Sequence, residues 1–170
     1  FFNQSAGTVY AEYYQYYQGS SVIQNTPGVW SFSDPNLGGY NGYGVRLNPA
    51  RSDTGTIEYI GRQYLNNNAS LWFNDNAPTG YLIANSVYKM ASTWDNNNTQ
   101  AYISINGNTA VGQTNTLPPV APRMTRLYIG DQLVGGSPIQ LGGAMRILQY
   151  WPNALPTNQL KTLTSSTSYT

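Results

Sequence analysis

The chain has 170 residues, no cysteine, no histidine, and eight Lys+Arg against seven Asp+Glu, for a net charge of +1. Disulfides, thiol chemistry, histidine triads and histidine–metal sites are excluded, and no basic stripe exists to neutralise a nucleic-acid backbone. Only 9% of residues are charged, where about a quarter is usual, and fifteen tyrosines with four tryptophans supply flat amphipathic surface instead.

Such a surface suits an extracellular or virion protein and carbohydrate contact; it equally suits a plain polar β-protein. No apolar run approaches the roughly 20 residues of a membrane span, so no membrane insertion is expected. The opening "FFNQSAGTVY" lacks the basic and long apolar regions of a signal peptide and reads as an excised fragment. The length suits a single domain over residues 1–170 with a core of its own.

Period-two alternation predicts the strands in order. "GTVYAEYYQYY" (Gly7 to Tyr17) puts Val9, Ala11 and Tyr13 on one face and Thr8, Tyr10, Glu12 and Tyr14 on the other. "GVWSFSD" pairs Trp30 with Phe32, and "GYGVRL" aligns Tyr43, Val45 and Leu47. Shorter strands follow at "GTIEYI", "ASLWF" and "GYLIA". "VYKMASTW" places Met90, Ser92 and Trp94 together, and "QAYISI" does the same for Ala101, Ile103 and Ile105. Asn106-Gly107 is a type I′ turn signal, because both residues tolerate positive φ. "LPPVAPRM" (Leu117 to Met124) is a Pro-rich crossover unfit for a central strand. "TRLYIG" and "AMRILQYW" are the last strands, with Trp30, Trp94 and Trp151 read as core. Pro152 then stops the chain before a short helix over Thr157 to Leu163. Leu160 and Leu163 form its apolar face, Leu155 or Trp151 is placed to meet them, and Pro156 stands near its start. Two turns are too short to be stable alone, so this helix must pack on the sheets. Many short strands separated by Gly, Pro, Asn and Asp give an antiparallel all-β sandwich or barrel.

"VYKMASTWDNNNTQAYISINGN" resembles the central hairpin of concanavalin A-like and laminin-G-like jelly rolls, with Ala91, Trp94, Asp95, Asn106 and Gly107 at the characteristic places. "LPPVAPRMTRLYIGDQ" and "LGGAMRILQYWPNALPTNQLKTLT" are similar to the later segments of that family. The "Tyr-Trp-Pro … Leu-x-x-Leu-Thr" ending is the most specific part. It is frequent at the carboxyl end of bacteriophage tail-fibre receptor-binding proteins. Pro156 departs from the usual Ser or Thr at the helix cap, and the likeness covers about Val87 to Thr164. The resemblance implies an antiparallel jelly-roll β-sandwich with one short C-terminal helix, forming the C-terminal part of a longer fibre protein. It also implies a homotrimer, with the tyrosines of the first strand as candidates for the contact. The implied location is the virion, at the fibre tip, outside the host cell.

Hydrolysis of a glycan on such a fold needs two carboxylates across a cleft. The two glutamates, Glu12 and Glu58, each lack an acid two residues away, and the aspartates sit in turn-like sequence. Catalysis is not expected. "FSDPN" and "WFNDNAP" carry oxygens of the kind calcium takes, but Asp at the start of a turn is the commoner explanation, so no cofactor or metal is predicted. Aromatic residues on flexible loops are the stronger signal, since sugars bind where a flat ring stacks on C–H faces and amides fix the hydroxyls. "GGYNGYG" offers Tyr40 and Tyr43; "LNNNASLWFNDNAPTGY" offers Asn67, Trp72 and Asp75. Against this stands the reading of Trp72 as core and Tyr43 as a strand residue. The expected partner is a bacterial surface glycan, bound without catalysis. The alternatives are a structural or trimerising cap of a virion or tail-like particle, and a carbohydrate-binding module of a secreted enzyme or depolymerase.

Overall fold

Alternating apolar residues need a second layer to cover them, and the chain supplies one. The computed structural model describes residues 2–16, 28–33, 42–48, 56–62, 70–75, 85–113, 125–130 and 142–165. Its strands are β1 (Ala6–Gln15), β2 (Gly28–Ser33), β3 (Gly42–Asn48), β4 (Thr56–Arg62), β5 (Ser70–Asp75), β6 (Ser86–Asp95), β7 (Gln100–Ile105), β8 (Val111–Gln113), β9 (Arg126–Ile129) and β10 (Gly143–Trp151), followed by helix α1 (Thr157–Ser165). They form two five-stranded antiparallel sheets: sheet A in the order β10-β1-β6-β7-β8, and sheet B in the order β5-β4-β3-β2-β9. The fold is an all-β jelly-roll sandwich with one short helix, as expected. "GYLIA", "LPPVAPRM", Tyr40 and Asn67 lie outside the described residues, as does half of the two segments weighed for calcium.

The alternation faces hold. Val9, Ala11 and Tyr13 of β1, Met90 and Trp94 of β6, and Ala101, Ile103 and Ile105 of β7 are buried in one core with Trp30, Phe32, Tyr43 and Val45 of sheet B. At its centre Trp94 stacks on Tyr43 at 5.0 Å and meets Phe32 edge-on at 5.9 Å, arrangements favoured by the ring quadrupoles. Phe2 closes the cluster against Phe32 at 4.4 Å and Tyr150 at 5.6 Å. Gly7 pairs with Trp94 across the sheet, and a Cβ there would overlap the indole ring, so only glycine fits.

The outer face of sheet A is also covered. Tyr10, Ala91 and Leu160 are buried together, with Trp151, Leu155, Tyr102 and Leu163 packed around them. Trp151 therefore belongs to this helix-side cluster rather than to the main core. The segment before α1 is pinned by Thr8, whose Oγ1 donates to Asn153 O at 2.8 Å and accepts from Leu155 N at 2.9 Å. Pro156 takes the cap position: its carbonyl accepts from Leu160 N at 3.2 Å, and a proline there loses no helical donor. Because β1 lies between β10 and β6, Tyr10 and Tyr13 are buried within one protomer. Of the first-strand tyrosines expected at a subunit contact, these two are therefore enclosed, while Tyr16 is exposed.

The Asn106-Gly107 turn forms as predicted. Both φ values are positive, 50° and 78°, and Asn108 N donates to Ile105 O at 3.0 Å. Helix α1 locks this turn through Thr164, whose buried hydroxyl accepts from Gly107 N at 3.0 Å and lies 2.9 Å from Ser104 Oγ. Thr164→Val keeps the shape but strands these polar groups, so it is expected to cost about 1–3 kcal/mol. Urea denaturation measures this; a loss within about 0.5 kcal/mol, the range of ordinary surface changes, would show that the lock is idle.

Candidate functional site

With α1 and its lead-in on sheet A, the outer face of sheet B is the one that no described element covers. Its residues follow from strand register, since positions opposite one another share a face. Trp30, Phe32, Tyr43 and Val45 are core, so the residues between them belong to the outer face. One cross-strand row there runs Tyr128, Ser31, Gly44, Ile60, Trp72. The next runs Arg126, Ser33, Gly42, Arg62, Ser70, and on the other side Arg46, Glu58 and Asn74 lie abreast.

The middle strands thus contribute the small residues Ser31, Ser33, Gly42 and Gly44, while larger ones stand on either side. Gly44 is required: a Cβ there would come within 2.8 Å of Trp30 O and of Ser31 Cβ. At the β9 end, Tyr128 has a buried hydroxyl that makes no hydrogen bond among the described residues. By register, the outer-face positions thus include Trp72 on β5, three arginines and one glutamate. A face whose positions carry more arginine than carboxylate suits an anionic ligand, which a cationic surface attracts over about a Debye length, ~8 Å in physiological salt.

Of the residues expected to bind, Trp72 falls on this face by register, and Asp75 ends β5 opposite Ile57, on the inner-face register. Tyr43 is a core residue. It is 2% exposed, its ring is stacked on Trp94, and its hydroxyl donates to Asn96 Oδ1 at 2.9 Å. Burial raises that hydroxyl well above the ordinary tyrosine range, with the Asn96 bond opposing, so it stays a protonated donor. It offers no ring face to a ligand. The sequence reading missed Ser31, Ser33, Gly42, Gly44, Arg46 and Arg62. The signal was present in "GYGVRLN", where glycine, glycine and arginine alternate with Tyr43, Val45 and Leu47.

The two glutamates stand on opposite sides of the sandwich. Glu58 is on the outer face of sheet B by register. Glu12 is on sheet A, buried, accepting from Tyr10 Oη at 2.6 Å with Arg146 Nη1 3.9 Å away. They cannot serve one cleft as the acid–base pair of a glycosidase. Among the described residues, no group of three or more His, Cys, Asp or Glu side chains is placed to hold a metal ion. No described helix is long and apolar enough to cross a membrane.

No protein-family model and no curated relative matches the sequence. Solved structures with the same fold are found. A heptameric SAP-like pentraxin from Limulus polyphemus is similar over 95% of this chain and 70% of its own, at 17% identity and TM-score 0.67. The carbohydrate-binding module CBM40 of the Ruminococcus gnavus IT-sialidase, in complex with α2,3-sialyllactose, is similar over 95% and 84%, at 13% identity and TM-score 0.68. The NanB sialidase of Streptococcus pneumoniae is similar over 95% of this chain at 14% identity and TM-score 0.72, but this chain spans only 24% of that one. These likenesses place the chain in the class of lectin-like jelly rolls by fold.

Proposed function

We propose that this domain is a non-catalytic glycan-binding module that holds an acidic glycan across the outer face of sheet B. The observation that carries this reading is the outer-face register row Ser31, Gly44, Ile60, Trp72, with Arg46 and Arg62 in the rows on either side. A tryptophan supplies a stacking surface and guanidinium groups pair with carboxylates. The likeness to a module solved with sialyllactose supports an acidic sugar as the ligand class.

In the finer reading the module is the attachment domain at the tip of a bacteriophage tail fibre, a homotrimer on the virion that contacts bacterial surface glycan. The "Tyr-Trp-Pro … Leu-x-x-Leu-Thr" ending and the low charge support it. A second reading, a carbohydrate-binding module of a secreted enzyme, is favoured by the CBM40 likeness. Whole-cell binding by the labelled domain, with its mass measured by light scattering, tests the choice. Three protomer masses and retention on bacterial cells are expected for the fibre tip. A monomer that ignores cells but binds soluble acidic glycan would favour the enzyme module.

A further inference from the structure

The helix side of the sandwich carries a second cleft, separate from the outer face of sheet B. Its volume is about 350 Å³, and it is lined by Thr93, Asp95, Gln100 and Tyr102 of sheet A and by the segment Ala154 to Thr157. Ligand pockets run from about 300 to 1,000 Å³, so this one suits a small ligand. Its position follows from register. Thr93 and Tyr102 are paired across β6 and β7, as are Asp95 and Gln100 one step beyond, all on the outer face of sheet A. The opposite wall is the segment that Thr8 pins ahead of α1.

The chemistry of the lining is specific. Tyr102 is half-buried: it packs into the helix-side cluster and also lines the cleft. On its other flank is Gly112, where a Cβ would come within 2.5 Å of the ring, so the β8 side adds no side chain. Asp95 is held rigid by its own turn. Oδ1 accepts from Asn97 N at 3.0 Å and Asn98 N at 3.2 Å, and Oδ2 accepts from Asn98 Nδ2 at 2.6 Å. A carboxylate accepts about four hydrogen bonds, so one site on Oδ2 is left for a ligand donor. Gln100 adds an amide and Thr157 a hydroxyl. The lining therefore joins a ring face, a fixed acceptor and an amide, with a carboxylate as the sole charged group among the described lining residues.

We propose that this cleft is a second sugar subsite, for one neutral pyranose, with its ring against Tyr102 and a hydroxyl donating to Asp95. The Asp95 carboxylate repels uronic and sialic acids. The assignment does not depend on the reading of sheet B.

The test is an amide chemical-shift titration of the 170-residue chain with methyl glucopyranoside, methyl galactopyranoside and glucuronic acid. Shifts are expected around Asp95, Tyr102 and Thr157 with one of the neutral sugars, at a Kd of about millimolar. Glucuronic acid is expected to bind at least tenfold more weakly, about the effect of one unfavourable charge contact. Gln100→Ala, at the rim, should weaken the neutral sugar about tenfold, the scale of one ligand hydrogen bond, and Tyr102→Ala should abolish binding. Trp72→Ala should leave this titration unchanged, which separates failure here from failure on sheet B. Absence of shifts with both neutral sugars, equal binding of glucuronic acid, or a wild-type titration in Gln100→Ala would each overturn the proposal.

Discussion

Trp94→Ala is expected to destabilise the domain by about 3–5 kcal/mol, the usual cost of removing a buried tryptophan. A domain holds only about 5–15 kcal/mol in total, so much of the population should unfold under mild denaturant. The size follows from position. Trp94 is fully buried, stacked on Tyr43, edge-on to Phe32 and 6.4 Å from both Phe2 and Tyr150. Its Nε1 also donates to Gln4 O at 3.2 Å, tying the N-terminal segment over the core. Collapse cannot fill the gap, because Gly7 beneath the ring has no side chain to move in. Urea denaturation followed by circular dichroism measures the loss. A change within about 0.5 kcal/mol, as at an ordinary surface site, would contradict this account of the core.

Trp72→Ala has the largest effect expected on binding. On the proposed face, one stacking ring and a few polar contacts give about millimolar affinity, near 4 kcal/mol, so loss of the ring should take binding below detection. In a trimer the loss on cells is greater, because avidity multiplies weak sites by about 100-fold or more. The outer-face position by register implies that the melting temperature moves by only a few degrees. Calorimetric titration with a sialylated oligosaccharide, beside a thermal melt, measures both. The salt dependence is a further sign: with arginines on the face, raising salt should weaken binding of an acidic glycan. Unfolding of Trp72→Ala would place Trp72 in the core and remove the basis for the site.

Strand positions were legible because the alternation is strong. "VYKMASTW" became β6 with one residue added at each end, and the short helix begins at Thr157 as read. β8 was not legible: Val111–Gln113 is three residues, too short for any period to show. Tyr43 misled because glycines on both sides read as a flexible loop. In the sheet, Gly42 and Gly44 instead lie on the outer face, and Gly44 permits close approach to β2 while Tyr43 enters the core. The outer-face rows of sheet B could not be read because they join β9, β2, β3, β4 and β5 in an order set by long-range pairing. The helix-side cleft needed more still, since Asp95 and Tyr102 are local but Ala154 to Thr157 arrive from the far end of the chain.

A glycan array probed with the wild-type domain and with Trp72→Ala decides whether sheet B binds acidic glycan. The wild-type domain is expected to retain acidic glycans, to release no sugar from them, and to lose them on Trp72→Ala while staying folded. Retention of the same acidic glycans by folded Trp72→Ala would contradict the reading of sheet B.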